Sequence, residues 1–268
     1  MLDIRTVLSH EGVGIADVAC THPAGQGRHP EEASVHALVF VRRGCFIRYV
    51  GGIEALLDPT AAYCMNPGEE QRFDHPHRHG DDCTSLSLDE SLLASIWGGE
   101  PTLPDRPLPV APRLDVEHRL LLAAAIRGDS PHELTEQAIA LTASALEQVN
   151  RRRVESGRPA TTRARRALVD GVREALAADM ERSLLDLAQT LAVSPHHLSR
   201  VFRQATGHTI ARHRMRLRAR AVLERLAGGE RDLARLAADV GFADQSHLSR
   251  VIRSETGVTP SMLRRAIG

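Results

Sequence analysis

The stretch Leu236-Ala237 … Val240-Gly241-Phe242-Ala243-Asp244-Gln245-Ser246-His247-Leu248-Ser249-Arg250-Val251-Ile252-Arg253, followed by Thr256-Gly257, decides the fold because it occurs twice. The earlier copy is Leu187-Ala188 … Val193-Ser194-Pro195-His196-His197-Leu198-Ser199-Arg200-Val201-Phe202-Arg203, then Thr206-Gly207. From Leu198 onward the copies match at an offset of 50 residues; before the turn the offset is 49. The second copy thus has one extra residue, which the sequence places at Gly241-Phe242. An internal repeat of this kind marks a duplicated structural unit.

Each copy reads as two short helices around a tight break. Leu184, Leu187, Ala188 and Leu191 recur at helical spacing, and so do Leu198, Val201 and Phe202. Ser194 is placed to cap the second helix, with Pro195 at its first position, where a missing N–H does no harm. The second copy repeats this with Leu233, Leu236, Ala237 and Val240, a turn at Gly241, a cap at Asp244, and Leu248, Val251 and Ile252 inward. The outward residues are His196, Ser199, Arg200 and Arg203 in the first unit. In the second they are Gln245, Ser246, Ser249, Arg250 and Arg253. A helix-turn-helix offering Arg, Gln and Ser suits a DNA major groove, where Arg addresses guanine and Gln adenine.

Residues from about 163 to 267 resemble the DNA-binding domain of the AraC/XylS family of bacterial transcription regulators. The segment from Gly241 to Arg250, with Gly257-Val258-Thr259-Pro260, carries the resemblance. The resemblance implies a seven-helix domain with two helix-turn-helix units joined by a long helix, both recognition helices entering one face of the duplex. The DNA-facing positions it implies are His196, Ser199 and Arg200 in the first unit and Gln245, Ser246, Ser249 and Arg250 in the second; Arg203 and Arg253, on the same outward faces, are further DNA-binding candidates. The joining helix is expected over Thr209–Leu226, buried along Met215, Ala219, Val222, Leu223 and Leu226. Its Arg218 matches an arginine of the family, read either as a DNA contact or as an ion pair with Asp186 or Asp239.

A chain of 268 residues suggests two domains. Its net charge of zero hides an asymmetry: residues 1–150 hold 11 Arg against 22 Asp and Glu, and residues 151–268 hold 23 Arg against 12. The basic half carries the repeat, as phosphate binding requires. No run of 18 apolar residues occurs, so no membrane span is expected, and the start of the chain does not read as a signal peptide. Cys20, Cys45, Cys64 and Cys83 are widely spaced, which argues against a disulfide scaffold. A cytoplasmic protein is expected.

The first 20 residues have no clear reading, and 21–34 read as loop. Short apolar runs follow at Ala37–Val41, Cys45–Val50, Ile53–Leu57, Ala61–Met65 and Thr84–Leu88, divided by Gly and Pro turns. They suggest an antiparallel barrel or sandwich. This part resembles the cupin-like sensor domain found in many AraC-family regulators, so the expected fold class is two-domain α+β, with an N-terminal cupin-like antiparallel β-barrel and a C-terminal all-α domain. The expected division is a sensor domain over 1–110, a helical linker or dimerisation region over 111–160, and the DNA-binding domain over 161–268.

His75, His77 and His79 alternate as strand neighbours do, and Cys83 or His36 could complete a tetrahedral metal site. Pro76 and Gly80 interrupt a regular strand, and no Glu follows closely as in metal-binding cupins. The preferred reading is therefore a polar His-rich turn without metal or cofactor, with His75 the candidate for lining a ligand pocket. No Gly-x-Gly-x-x-Gly, phosphate-binding loop or Gly-x-Ser-x-Gly elbow occurs, so no enzyme is expected. The expected function is a sequence-specific DNA-binding regulator, an effector-responsive activator. Its expected partners are double-stranded DNA, a small-molecule effector, RNA polymerase and a second copy of the chain. The alternatives are a cupin-type metal-dependent enzyme and a regulator whose barrel only oligomerises.

Overall fold

Ala37 to Val41 form an unbroken apolar run in which every residue is buried. Such a strand is covered on both faces, unlike one with a solvated side. Leu38 and Phe40 pack into a cluster with helices, whereas Ala37, Val39 and Val41 pack into a cluster with a second sheet. This strand organises the N-terminal half. A computed structural model of the chain describes residues 2–21, 30–77, 80–97, 101–150 and 159–267.

The strands are β1 (Leu2–His10), β2 (Val13–Cys20), β3 (Glu31–Glu32), β4 (His36–Arg43), β5 (Phe46–Val50), β6 (Ile53–Leu57), β7 (Ala61–Met65), β8 (Glu70–Asp74), β9 (Asp81–Leu88) and β10 (Leu108–Pro109). The helices are α1 (Glu90–Trp97), α2 (Pro112–Arg127), α3 (Pro131–Asn150), α4 (Pro159–Ala178), α5 (Leu184–Thr190), α6 (Pro195–Thr206), α7 (Ile210–Ala227), α8 (Leu233–Val240), α9 (Gln245–Thr256) and α10 (Pro260–Ile267). None is long and apolar enough to cross a membrane among the described residues.

The expected closed barrel is not formed. The strands make a six-stranded sheet, β1-β2-β9-β4-β7-β10, and a separate four-stranded sheet, β3-β8-β5-β6. No ladder joins the two among the described residues, and every pairing is antiparallel. The physical reason lies in how the large sheet is covered. Its one face packs on the small sheet through Val39, Val41, Phe46, Leu57, Tyr63 and Cys83. Its other face is sealed by Leu93, Leu121, Leu134, Ala138 and Leu141 from α1, α2 and α3. With both faces buried, the sheet needs no closure to hide its apolar surface. Residues 2–20, unassigned by pattern, form the β1–β2 hairpin at the sheet's edge.

The C-terminal half is all-helical. Val172, Leu176, Leu187, Leu198, Val201 and Phe202 form one core, and Val222, Leu223, Leu236, Leu248 and Ile252 form another. The joining helix is α7, ended at Gly228. Helix α2 serves both halves: Leu121, Leu122 and Ala125 face the six-stranded sheet, while Val116, Leu120 and Ala123 join the second helical core.

Candidate nucleic-acid interface

The two helix-turn-helix units repeat each other down to individual hydrogen bonds. In the first, Ser183 and Asp186 form a capping box on α5, and Ser194 Oγ accepts from the His197 N–H at the start of α6. In the second, Asp232 caps α8 and Asp244 accepts from the His247 N–H at the start of α9. Thr206 Oγ1 donates to Phe202 O, and Thr256 Oγ1 donates to Ile252 O. Gly207 and Gly257 both end their helices in the left-handed conformation.

The turns show where the copies diverge. The left-handed residue is Ala192 (φ 53°) in one and Gly241 (φ 82°) in the other. Just after it, Val193 N donates to Ala188 O and Phe242 N to Ala237 O. Val193 and Phe242 are thus equivalent, and the additional residue is Ala243, one place beyond the Gly241-Phe242 position read from sequence. Gly241 is required for a second reason. A Cβ there would lie 2.3 Å from Glu181 Oε1 and 2.7 Å from Arg218 Nη2. Arg218 pairs with Glu181, not with Asp186 or Asp239, so this ion pair seats the second turn against the α4–α5 connection.

The outward faces lie where periodicity placed them. His196, Arg200, Arg203, Gln245, Ser246, Arg250 and Arg253 are exposed, and Ser199 and Ser249 are half-buried. Arg200 Nη2 lies 3.5 Å from His197 Nδ1. None of Arg200, Arg203, Arg250 or Arg253 enters an ion pair among the described residues.

The arginines of α7 are used differently. Arg212 and Arg216 pair with Glu255, Arg214 donates to the Arg182 carbonyl, and Arg218 pairs with Glu181. Arg220 is 2% exposed and donates to the carbonyls of Pro59 and Val110. The row of arginines on α7 is therefore engaged within the protein, while the four on α6 and α9 are exposed.

Each recognition helix also borders a cleft. One of about 260 Å³ is lined by Arg212, Met215, His247, Arg250, Val251 and Ser254. One of about 330 Å³ is lined by Arg165, Leu168, His197, Arg200, Val201 and Gln204. Four of these positions match at the repeat offset of 50, from His197 with His247 to Gln204 with Ser254. The helices behind them, α4 and α7, are equivalent supports, so each unit is a three-helix body.

Sequence reasoning missed a buried polar seam between the halves. Asp58, on the β6–β7 turn, accepts from Arg173 Nε of α4 at 2.8 Å and lies 3.7 Å from His213 Nε2 of α7. Asp115 lies 3.2 Å from Arg119 and 3.6 Å from Arg220, and Arg119 and Arg42 both reach Glu224. Burial pushes the Asp58 carboxyl up, but Arg173 and then His213 outweigh it and hold it well below the usual carboxylate range. Burial lowers His213 to about 4 in spite of Asp58. No local motif announces this seam, since the partners that join the two halves lie more than a hundred residues apart in sequence.

The His-rich turn is only partly drawn together. His75 is buried just after β8, His77 is half-buried, and His79 lies outside the described residues. His36 sits on β4 against Asn66. The partners of His75 are instead Cys20, at 3.6 Å from its Nε2, and Asp81, at 2.7 Å. The Asp81 hydrogen bond and then Cys20 raise His75 to about 9.

With the two units in place, the C-terminal half is defined as a double helix-turn-helix domain. Residues 187–266 match the helix-turn-helix domain family. Over 87 residues the chain is 33% identical to the arabinose operon regulatory proteins of Salmonella typhimurium and Escherichia coli, a match covering 32% of this chain and 31% and 30% of theirs. The chain thus spans less than a third of the length of these relatives. Among solved structures, an apo ToxT variant from Vibrio cholerae is similar at a TM-score of 0.42 and 10% identity, covering 97% of this chain and 99% of that one.

Proposed function

We propose that this protein is a sequence-specific DNA-binding transcription regulator whose N-terminal half conditions the placement of its two recognition helices. The observation that carries the reading is the division of labour among the arginines. Those of α7 are engaged by carboxylates or carbonyls, whereas Arg200, Arg203, Arg250 and Arg253 stand exposed on the two equivalent helices. Exposed cations on paired helices of this shape suit phosphates and base edges of successive major-groove segments, about 34 Å apart on one face of the duplex.

His196, Ser199 and Arg200 differ from Gln245, Ser246, Ser249 and Arg250, so the two units read different short sequences and each chain occupies an asymmetric site. A second copy of the chain would fill a second such site. Regulation by a small-molecule effector acts, on this reading, through the buried seam, because Asp58 and Asp115 touch α4 and α7 directly. The final readout is activation through contact with RNA polymerase.

The test is footprinting of the full chain on the DNA upstream of its own gene, with selection from randomised duplexes. A protected region covering two neighbouring major-groove segments, with affinity falling steeply as salt rises, is expected. Equal affinity for all duplexes defeats the reading. Transcription in vitro with RNA polymerase tests activation.

A further inference from the structure

Cys20, His75 and Asp81 come from three different places in the fold. Cys20 ends β2, His75 follows β8 in the smaller sheet, and Asp81 begins β9. They are 4%, 6% and 5% exposed, and their ligating atoms all lie within 4.8 Å of one another. Strand register brings this about. Cys20 and Asp81 are direct cross-strand partners, so their side chains share a face. Gly80 lets the loop close: it has φ +66°, and a Cβ on it would sit 2.3 Å from the Cys20 carbonyl oxygen. Cys83, 3% exposed, shares the Asp81 face two residues along, with its Sγ 3.9 Å from Asp81 Oδ2; it lies outside the group of three and reaches their centre only by turning its side chain.

The arrangement is not that of a nucleophile and its relay. In a relay the thiol and the carboxylate hold opposite nitrogens of the imidazole. Here Cys20 Sγ and Asp81 Oδ1 both address Nε2. Convergence of sulfur, nitrogen and oxygen donors on one point is the geometry of a metal site. Around tetrahedral zinc, bond lengths of about 2.3 Å to sulfur and 2.05 Å to nitrogen put the two donors ~3.6 Å apart. The separation of Cys20 Sγ and His75 Nε2 is 3.6 Å.

We propose that Cys20, His75 and Asp81 form a zinc site, with Cys83 as the fourth ligand. On binding, Cys20 and Cys83 each lose a thiol proton to solvent, and His75 coordinates through neutral Nε2, giving up any proton held against Asp81. The Asp81 carboxylate draws back from its 2.7 Å contact to the wider spacing of two ligands on one ion. The ion ties the end of the smaller sheet's β8 to β2 and β9 of the larger one, clipping together two sheets that share no hydrogen-bonded ladder among the described residues. This site is neither the alternating His75, His77, His79 set nor dependent on the DNA-binding reading.

The test uses the full chain, stripped with a chelator under reducing conditions and titrated with Zn2+ and Co2+. One ion per chain is expected, with visible bands of tetrahedral cobalt, near-ultraviolet thiolate-to-cobalt charge transfer, and a raised melting temperature on loading with zinc. Cys20→Ser and His75→Ala should each weaken zinc binding by at least ~10-fold, and Cys83→Ser should lower the charge-transfer intensity by about half. Cys45→Ser and Cys64→Ser, both outside the cluster, and His132→Ala, which breaks the exposed group of His10, Glu11 and His132, should leave binding unchanged. Folded wild-type chain that takes up cobalt without a charge-transfer band overturns the proposal. So does loading far below one ion per chain, or binding lost with His132 but kept with Cys20→Ser. The wild-type spectrum decides the matter even if a cluster variant fails to fold.

Discussion

Arg173 on α4 donates from Nε to Asp58 Oδ2 at 2.8 Å, across the contact between the two halves of the chain. Asp58 has no exposed surface, and Thr60 donates to its other oxygen through both N–H and hydroxyl. One carboxylate therefore fixes its own turn and the first helix of the helical half. Asp58→Ala leaves Arg173 Nε and the Thr60 donors unmatched, while Arg173 Nη1 keeps Asp170 and the Leu56 carbonyl. A loss of about 3–5 kcal/mol in unfolding free energy is expected, measured by urea denaturation. The double variant with Arg173→Met should recover part of it, and equal losses in the single and double variants would contradict the pairing.

His213 sets a pH limit on the same seam. Its folded pKa of about 4 lies below the ordinary 6.5, so the unfolded chain binds more protons between these values. Stability is complete above about pH 6.5 and is lost as pH falls through 4. The full span corresponds to roughly 3 kcal/mol. His118, lowered by burial to about 3 and stacked on Phe40, adds to the same trend. Melting temperatures from pH 7.5 to 4.5 should fall less steeply for His213→Gln than for the parent chain.

The glycines ending α8 and α9 separate strain from crowding. Gly241 and Gly257 have nearly the same φ, 82° and 81°, but an added Cβ meets Glu181 and Arg218 at Gly241 and nothing within 4 Å at Gly257. Gly257→Ala should cost about 1–2 kcal/mol, the strain of the left-handed backbone alone. Gly241→Ala should cost more and should also weaken DNA binding, because it displaces the Glu181–Arg218 pair behind the second turn. Equal losses at the two positions would show that Arg218 and Glu181 yield freely.

Arg200 and Arg250 occupy matching exposed positions on α6 and α9. If each reads a guanine, alanine at either costs roughly 1–3 kcal/mol at one base position and relaxes preference there. The two positions should fall about one helical turn apart. A phosphate contact would weaken all sequences alike and lower the salt slope by about one unit. Neither side chain has an ion pair to lose among the described residues, so melting temperatures should not move. Selections on randomised duplexes, run beside thermal melts, distinguish these outcomes.

The helix-turn-helix units were legible in the sequence because their determinants are local. Caps at Ser194 and Asp244, terminal glycines at 207 and 257, and buried rows at i, i+3 and i+4 act within a few residues of one another, and duplication repeats the signal. The apolar runs from Ala37 to Leu88 likewise marked strands. What they could not specify was closure. A strand in a barrel and one between a sheet and a helical layer carry the same apolar letters, and only the positions of α1, α2 and α3 against Leu38 and Phe40 decided for two open sheets. The division of the α7 arginines into ion-paired and buried carbonyl-bound side chains depends on Glu181, Glu255, Pro59 and Val110, all remote in sequence. The same holds for Cys20, which meets His75 across 55 residues. The sequence by itself determined the recognition helices and their outward faces, since backbone capping and side-chain periodicity are short-range forces. The tertiary structure alone decided the sheet arrangement, the seam at Asp58 and Asp115, and the cluster of Cys20, His75 and Asp81, because burial pairs charges and donors by position in space and leaves no spacing rule along the chain.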